Sequence, residues 1–278
     1  MEYGLALFTS DRGISPAAAA KLAENHGFST FYVPEHTHIP VKRTAIHPST
    51  GGTTLPDDRY MRTLDPWVSL GTACAVTSHI RLATAVALPV EHDPITLAKS
   101  IATLDHLSGG RVRLGVGFGW NTDELSDHGV PARRRRTMLR EYLAAMRALW
   151  TQEEAAYQGE FVSFGPSWAW PKPVQSPIPV LVGAAGTEKN FTWIARNADG
   201  WITTPRDTNI DASVQLLHDV WATAGRADTP QIVALESKPV PEKLQHWAEL
   251  GVTEVLFGMP DRTENEVVAY VERLAGKL

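Results

Sequence analysis

Cysteine is almost absent from the chain, and basic residues are not in excess. Cys74 is the only cysteine among 278 residues, so no internal disulfide can form and a reducing compartment is the simplest interpretation. The formal net charge is -5 at pH 7. Such a surface provides no long-range attraction for nucleic acid or anionic lipid. We therefore expect neither nucleic acid nor membrane among the partners.

Long apolar segments are also missing. Nowhere do about 18 apolar residues follow one another, the length that a helix needs to span a bilayer. The first residues, MEYGLALFTSDRG, lack the basic region and the apolar stretch of a secretory signal. These features predict a soluble cytoplasmic protein. No repeat, charged tail or low-complexity linker divides the chain, so we expect one domain over residues 1–278.

The chain does contain a regular alternation of short apolar segments and longer helical segments. This alternation is typical of parallel strands joined by crossover helices. Three of the helices are predicted to begin with an N-cap residue followed by proline, at Ser15-Pro16, Asp65-Pro66 and Asp93-Pro94. Thr263 and Glu266 have the spacing of a capping box before a last amphipathic helix.

About eight strands are predicted, at residues 3–8, 29–34, 80–88, 112–116, 180–182, 201–203, 231–235 and 254–257. A helix over residues 132–150 and a small hairpin around Gly159 separate the fourth of these strands from the fifth. Eight strands that alternate with helices in a chain of this length favour an α/β fold of the (β/α)8 TIM-barrel type over an open doubly wound sheet.

The stretch GRVRLGVGFGWN, residues 110–121, joins a predicted strand to a glycine cluster. A dinucleotide-binding loop needs G-x-G-x-x-G, but the third glycine would fall at Trp120 or at Thr122, so the fingerprint fails in both registers. Two interpretations remain open. The glycines could open space for a flat ligand at the active end of a barrel, or they could only relieve crowding or form a bulge.

Three segments in order carry a resemblance to a known family: LDHLSGGRVRLGVGFGWNTDEL, YQGEFVSF and PKPVQSPIPVLVGAAG. They resemble the luciferase-like monooxygenase superfamily of flavin- and deazaflavin-dependent barrels, and most of all the branch that uses coenzyme F420. The resemblance extends from the first strand to about Asp199. It implies a homodimeric oxidoreductase that transfers a hydride between F420 and a small organic substrate.

The resemblance also implies where the cofactor binds. The ring would lie against a bulge at Thr84, Ala85 and Val86, with a cis peptide between the last two, and would be flanked by Gly117, Trp120 and Asn121. The phosphate would bind backbone N–H groups at the start of a helix, in the loop Gly183, Ala184, Ala185, Gly186 and Thr187. An ordinary turn with Thr187 as N-cap is the alternative for that loop.

His36 and Glu35 are the residues that the resemblance implies for catalysis. Imidazole titrates near neutral pH, so His36 could move a proton as the hydride moves. Glu35 could bond the ring edge or orient His36. The alternative is that His36 only shapes the pocket. Glu124 is expected to project over the barrel mouth, and the loop over residues 37–64 is expected to fold over the site.

Other functions remain open at this point. FMN in place of F420 would make the protein a luciferase-like monooxygenase, since reduced FMN reacts with oxygen. A non-catalytic cofactor carrier would need no proton donor. His36-Thr37-His38 also matches a metal-dependent barrel hydrolase, but the later strand ends lack further histidines, so no metal is expected. Arg133 to Arg136 could meet the acidic tail of F420, although a solvated helix face is the simpler interpretation.

Overall fold

A computed structural model describes all residues, 1–278. Eight parallel strands form one closed barrel: β1 (Glu2–Leu7), β2 (Thr30–Val33), β3 (Arg81–Thr84), β4 (Val112–Gly117), β7 (Val180–Gly183), β8 (Gly200–Ile202), β9 (Gln231–Glu236) and β10 (Glu254–Met259). Around the barrel the order is β1-β10-β9-β8-β7-β4-β3-β2, so β1 closes the sheet between the last strand and the second. The predicted (β/α)8 barrel is confirmed.

Nine helices connect the strands: α1 (Pro16–Asn25), α2 (Pro66–Val76), α3 (Pro94–Ser108), α4 (Thr122–Asp127), α5 (Arg135–Thr151), α6 (Glu188–Asn197), α7 (Ile210–Thr223), α8 (Pro241–Leu250) and α9 (Glu264–Ala275). The three predicted N-caps are confirmed: the side chains of Ser15, Asp65 and Asp93 each accept a bond from a backbone N–H three residues later. The capping box before α9 is also present. None of the helices is both long and apolar enough to cross a membrane.

The predicted hairpin lies outside the barrel. Strands β5 (Ala155–Gln158) and β6 (Ser163–Ser167) pair antiparallel as a separate two-stranded sheet between α5 and β7. Two short 3-10 helices, Asp58–Arg62 and Pro89–Glu91, complete the fold. Both hairpin strands therefore lie apart from the barrel's closed ring of hydrogen bonds, as the alternation around Gly159 predicted.

One strand is shorter than predicted, and this difference shapes the candidate site. Residues 80–88 were expected to form the third strand, but β3 ends at Thr84. The chain then leaves the sheet at Ala85 and Val86 and rejoins it at Ala87, whose N–H donates to Gly115 O at 2.8 Å and which forms an isolated bridge with Val116. A bulge therefore interrupts the sheet at the carboxyl end of β3.

The barrel interior is packed, as a barrel of this size requires. Its apolar centre consists of six buried side chains, Tyr32, Ala83, Leu181, Ile202, Val233 and Leu256. Towards the amino ends of the strands, Arg113 forms a buried ion pair with Glu254, which also accepts a bond from Tyr32 Oη at 2.9 Å. This ion pair therefore lies at the amino ends of the strands. Barrel enzymes place their chemistry at the other end, where the strands have their carboxyl ends.

Candidate active site

A cavity of about 370 Å³ opens at the carboxyl ends of the barrel strands. Its wall is mostly apolar and comprises Ala6, Pro48, Ala85, Val86, Leu88, Gly117, Phe118, Gly119, Trp120, Gly183, Ala185, Ile202, Thr203, Thr204, Pro205, Arg206, Leu235 and Leu256. Cavities of about 300–1,000 Å³ with this character are typical of small-molecule sites. Six of the residues predicted to bind cofactor therefore share one wall: Ala85, Val86, Gly117, Trp120, Gly183 and Ala185.

The bulge on this wall has the predicted backbone. The peptide bond between Ala85 and Val86 is cis, which confirms the prediction made from the family resemblance. Thr84 does not reach the cavity wall, because its hydroxyl is buried and donates to Gly115 O at 2.7 Å. Ala85 and Val86 are therefore the bulge residues that a ligand would touch.

Gly115 and Gly117 of the stretch GRVRLGVGFGWN, together with Gly183, make room for this bulge. A Cβ on Gly115 would lie 1.9 Å from Thr84 O, and one on Gly117 would lie 2.6 Å from Val86 Cγ2. A Cβ on Gly183 would meet Val86 Cγ1, also at 2.6 Å. Of the two interpretations left open by the sequence, the structure favours the second, in which the glycines relieve crowding with the neighbouring chain. The glycines serve a ligand only indirectly, by letting the bulge form the cavity wall.

His36 is held by a buried carboxylate, but the carboxylate is Glu124. His36 Nδ1 lies 2.8 Å from Glu124 Oε2, and the Glu124 side chain is fully buried. Glu124 also accepts bonds from Thr37 N at 3.0 Å and from Asn121 Nδ2 at 3.3 Å. Instead of projecting over the mouth as expected, Glu124 lies beneath it and fixes the orientation of the imidazole.

Glu35 is not the orienting residue. Its side chain is buried, accepts a bond from Leu88 N at 2.6 Å and lies 2.6 Å from His92 Nε2. It makes no hydrogen bond to His36, and it is absent from the cavity wall. The contact of Glu35 with the ring edge therefore stays a prediction; within the protein its side chain anchors the chain after the bulge.

Trp120 links His36 to the cavity. The indole lines the cavity, and its Nε1–H donates to His36 Nε2 over a long 3.4 Å. His36 itself is only 7% exposed and is not part of the wall. Asn121 lies next to Trp120 but is buried, and its Oδ1 has no hydrogen-bond partner. The predicted donors and acceptors therefore lie one layer behind the wall that Trp120 forms.

The segment over residues 37–64 covers this layer, as expected. Asp123 accepts the N–H groups of Thr44 and Ala45, both at 2.9 Å, and these bonds lower the pKa of its carboxyl. His47 packs edge-on against Trp120 with the ring centroids 4.6 Å apart. Pro48 lines the cavity, and its carbonyl accepts a bond from Arg206 Nε at 2.5 Å. The segment is therefore attached to both sides of the cavity.

The loop predicted to bind phosphate is already hydrogen-bonded to a carboxylate from elsewhere in the chain. Gly186 N donates to Asp207 Oδ1 at 2.6 Å, and the other oxygen of Asp207 accepts from Thr204 N at 2.6 Å. Thr187 is the N-cap of α6, as the alternative interpretation proposed, and Ala184 is buried with its carbonyl bonded to Trp201 Nε1. The loop does bind an anionic group at this helix start, but in this structure the group belongs to the protein.

Several site residues were not recognised in the sequence. Arg206 is the single charged side chain on the cavity wall, and nothing in its surroundings, TTPRDTN, marks it. Glu91 is buried near Glu35 and Glu124, and burial followed by the charge of Glu124 and then Glu35 raises its pKa to about 9. The only available signal was position, since both residues follow the carboxyl end of a strand.

The metal and polyanion alternatives find little geometric support. His36 and His38 diverge, because His36 pairs with Glu124 whereas His38 Nε2 lies 3.0 Å from Asp127. No group of three or more histidine, cysteine or acidic side chains is arranged to hold a metal ion. Within the arginine run, Arg136 lies over the ring of Phe118 at 4.3 Å and donates to Asn190 Oδ1 at 2.5 Å, so it packs rather than extends into solvent.

The fold and site together define a (β/α)8 barrel with an apolar cavity, a bulge after the third strand and a His–Glu pair at the carboxyl ends. The model of the luciferase-like monooxygenase family matches residues 15–253. The chain belongs to this family.

Three proteins of similar sequence are an uncharacterized protein and two F420-dependent dehydrogenases. The chain is 81% identical to an uncharacterized protein of Mycobacterium tuberculosis over 278 residues, which cover 100% of this chain and 99% of that protein. It is 27% identical to the F420-dependent hydroxymycolic acid dehydrogenase of the same species over 87% of this chain and 72% of the relative. It is 29% identical to the F420-dependent glucose-6-phosphate dehydrogenase of Beutenbergia cavernae over 89% and 73%.

Solved structures show the same barrel at low identity. A monooxygenase from Streptomyces bottropensis superposes with a TM-score of 0.77 and 22% identity, covering 100% of this chain and 98% of that one. The coenzyme F420-dependent tetrahydromethanopterin reductase from Methanopyrus kandleri superposes with a TM-score of 0.75 and 17% identity, over the same shares. These similarities establish the shared fold.

Proposed function

We propose that the protein is an F420-dependent oxidoreductase that transfers a hydride between the deazaflavin and a small organic substrate. The observation that carries the proposal is the apolar cavity at the bulge, adjoined by Trp120 and the His36–Glu124 pair. The F420-dependent dehydrogenases among its relatives support it.

The residues present fit such a cofactor. Ala85, Val86 and Gly183 contribute apolar surface to the cavity, and Trp120 contributes an aromatic ring. Arg206 suits the negative charge of a phosphorylated cofactor, because it is the only charged side chain on the wall. When bound, F420 would supply or accept the hydride, while the protein positions the substrate and moves the proton.

His36 is the residue placed to move that proton. Its Nδ1 faces the Glu124 carboxylate at 2.8 Å and therefore carries hydrogen, which leaves Nε2 of the neutral ring as an acceptor. Nε2 is engaged only by the long bond from Trp120. A substrate hydroxyl can replace this bond and give its proton to Nε2; in the reverse direction the protonated imidazole donates its Nε2–H to a substrate carbonyl.

The cofactor phosphate is proposed to bind between the loop over residues 183–187 and Arg206. Asp207 now accepts the Gly186 N–H, so a phosphate there must displace this carboxylate. Arg206 can then pair with the phosphate, because its bond to Pro48 uses only Nε. The like charge of Asp207 would oppose phosphate binding, which makes the assignment testable by removing that charge.

The test is an equilibrium titration of the apoprotein with F420 and, separately, with FMN, followed by tryptophan fluorescence. Nine tryptophans contribute to the signal, but only Trp120 lines the cavity. Trp120→Phe should remove most of the quenching by F420. Trp168→Phe is the matched control, since Trp168 is exposed and lies outside this cavity.

Each outcome has a different meaning. Tight binding of F420 with weak binding of FMN supports the proposal and justifies a search among alcohols, enones and imines. The reverse preference favours the FMN-dependent monooxygenase, and oxygen consumption is then the assay. Binding without any turnover after a broad search, unaffected by His36→Ala, favours the non-catalytic carrier.

The homodimer implied by the family resemblance stays a prediction. Sedimentation velocity of the purified protein at several concentrations checks it directly, and a single species at the mass of one chain would contradict it.

A further inference from the structure

Three buried carboxyl groups lie together behind His36. Glu35, Glu91 and Glu124 come from the ends of β2, β3 and β4, and the side chains of all three are at most 1% exposed. Glu35 pairs with His92 and Glu124 pairs with His36. Glu91 has no such partner: its Oε1 is buried without any hydrogen bond, and His128 Nε2 is 3.9 Å from its Oε2. The proposed chemistry at His36 leaves Glu91 unused.

Thr37 connects this carboxyl to the others and to the surface. Its N–H donates to Glu124 Oε1 at 3.0 Å, and its hydroxyl lies 3.4 Å from Glu91 Oε2. The same hydroxyl lies 2.7 Å from His128 Nε2 and 3.0 Å from His38 Nδ1. One hydroxyl therefore contacts a buried carboxyl group and two histidines at once.

The two histidines lead outwards. The side chain of His128 is 27% exposed and that of His38 is 41% exposed. Asp127, which lies 3.0 Å from His38 Nε2, is 59% exposed. Thr37 is itself exposed, so the contacts run from the buried Glu91 to solvent at Thr37, and His128 and His38 hydrogen-bond to the same exposed hydroxyl.

We propose that Glu91 stores a proton for the His36–Glu124 pair and exchanges it with solvent through the Thr37 hydroxyl, His128 and His38. The proposal rests on the proposed proton transfer at His36. In the inward step His128, after taking up a proton from solvent on its second ring nitrogen, gives its Nε2 proton to Thr37 Oγ1 and becomes neutral, while the original hydroxyl proton passes to Glu91 Oε2. The outward step is the reverse, and no electron or other group moves.

The surroundings of Glu91 keep it protonated at neutral pH. Burial is the main cause of its raised pKa of about 9, and the charges of Glu124 and Glu35 add to it. His92, its neighbour in the chain, pairs with Glu35, and His128, which follows α4, lies 3.9 Å from Glu91. Burial followed by the charge of His38 lowers the pKa of His128. Helix α5 also packs against this turn and brings Tyr142, whose phenol is neutral at such pH.

The proton on Glu91 can compensate for a change of charge at His36. When His36 gains a proton, the nearby Glu91 can release its own to solvent, so the buried cluster keeps a constant net charge. When His36 loses its proton, Glu91 is reloaded. Burying an extra charge in such a site is unfavourable, so this exchange keeps each proton transfer at His36 close to energetic balance. Glu91 and Thr37 are thus positioning residues for the proton, and neither touches substrate.

Thr37→Val is the decisive variant. It keeps the shape and the N–H bond to Glu124 but removes the hydroxyl. The primary readout uses the apoprotein: exchange of the Glu91 carboxyl proton with solvent after a pH jump, followed by the infrared carbonyl band of that group. Positioned proton carriers contribute about 10²–10⁴-fold, so we expect about 10²-fold slower exchange in Thr37→Val. Thr37→Ser should restore it, and His246→Gln should leave it unchanged, because the pair of His246 with Asp211 is exposed and remote.

Two further measurements distinguish proton transfer through Thr37 from proton storage on Glu91. Infrared spectra of the apoprotein at pH 7 should contain the carbonyl band of a protonated carboxyl group, and Glu91→Gln should remove that band. With cofactor and substrate, Thr37→Val should lower kcat while KM stays unchanged, and the solvent isotope effect on kcat should rise.

The outcomes are distinguishable from failure of the proposed function. Wild-type exchange rates in Thr37→Val, or no rescue by serine, would overturn the path, and an unchanged infrared band in Glu91→Gln would overturn the store. If F420 does not bind, the proposed function fails, but the apoprotein measurements still decide whether the path exists.

Discussion

Alanine at Gly117 tests whether the glycines of β4 make room for the neighbouring chain or for a ligand. A Cβ there would lie 2.6 Å from Val86 Cγ2, while the next nearest atoms are Leu88 Cδ2 at 3.5 Å and Val86 Cβ at 3.6 Å. The first distance is a collision, and the other two are ordinary van der Waals contacts. Gly117→Ala should therefore destabilise the protein through a single methyl group of Val86.

The expected magnitude follows from this geometry. Overpacking costs about 1–3 kcal/mol, and the smaller entropy of an alanine in the unfolded chain offsets about 0.4–1 kcal/mol of it. Val86→Ala removes the colliding methyl, so the double variant should be more stable than the two single effects predict. We expect a coupling free energy of about 1–3 kcal/mol in the double-mutant cycle.

Gly115→Ala is the matched control. Its Cβ would lie 1.9 Å from the backbone oxygen of Thr84, which Val86→Ala cannot move out of the way. Gly115→Ala should therefore remain destabilising beside Val86→Ala, with little coupling.

The assay is equilibrium unfolding in urea, with F420 affinity measured on the same proteins. Two results together would refute this reasoning. The effects of Gly117→Ala and Val86→Ala on the free energy of unfolding would be additive, and Gly117→Ala would weaken F420 binding without lowering that free energy. The space beside Gly117 would then serve a ligand directly.

Three further predictions concern the site. His36→Gln should bind F420 as tightly as the wild type but lose about 10²-fold or more in kcat, measured by the absorbance of F420; unchanged turnover would return His36 to a structural role. Asp207→Asn should tighten binding of F420 but not of its phosphate-free analogue in parallel titrations, and equal effects on both would remove the phosphate from the Gly186 loop. Glu91→Gln should stabilise the protein increasingly as pH rises from about 5 to 9. The reason is that the folded pKa of about 9 exceeds the ordinary value of 4.5, so the folded state binds more protons in this window and loses stability with rising pH. The free energies of unfolding of Glu91→Gln and of the wild type, measured at pH 5 and at pH 8, check the sign of this change.

Local signals predicted the elements of the barrel well. Ser15, Asp65 and Asp93 cap their helices because an N-cap followed by proline depends on only a few neighbouring residues. The third strand was predicted to run too far, to residue 88. Its residues remain apolar beyond Thr84, but they turn out of the sheet where Gly115 and Gly117 leave space for them.

The site was predicted less well, because its contacts join residues far apart in the chain. The sequence places an acidic residue directly before His36, yet the carboxylate that holds the imidazole is Glu124, 88 residues away. Likewise, Asp207 binds the Gly186 loop from the next strand end. Neither pairing leaves a local pattern in the sequence.

The sequence by itself therefore determined the alternation of strands and helices, the helix starts and the hairpin, because capping, periodicity and turn chemistry act over a few residues. Motif resemblance added the family and the cis bond at Ala85-Val86. Only the tertiary structure decided which carboxyl groups face His36 and which backbone fills the space beside the glycines. Closure of the barrel brings the strand ends together, and the direction in which each side chain then points depends on register and bulges that no short stretch of sequence encodes.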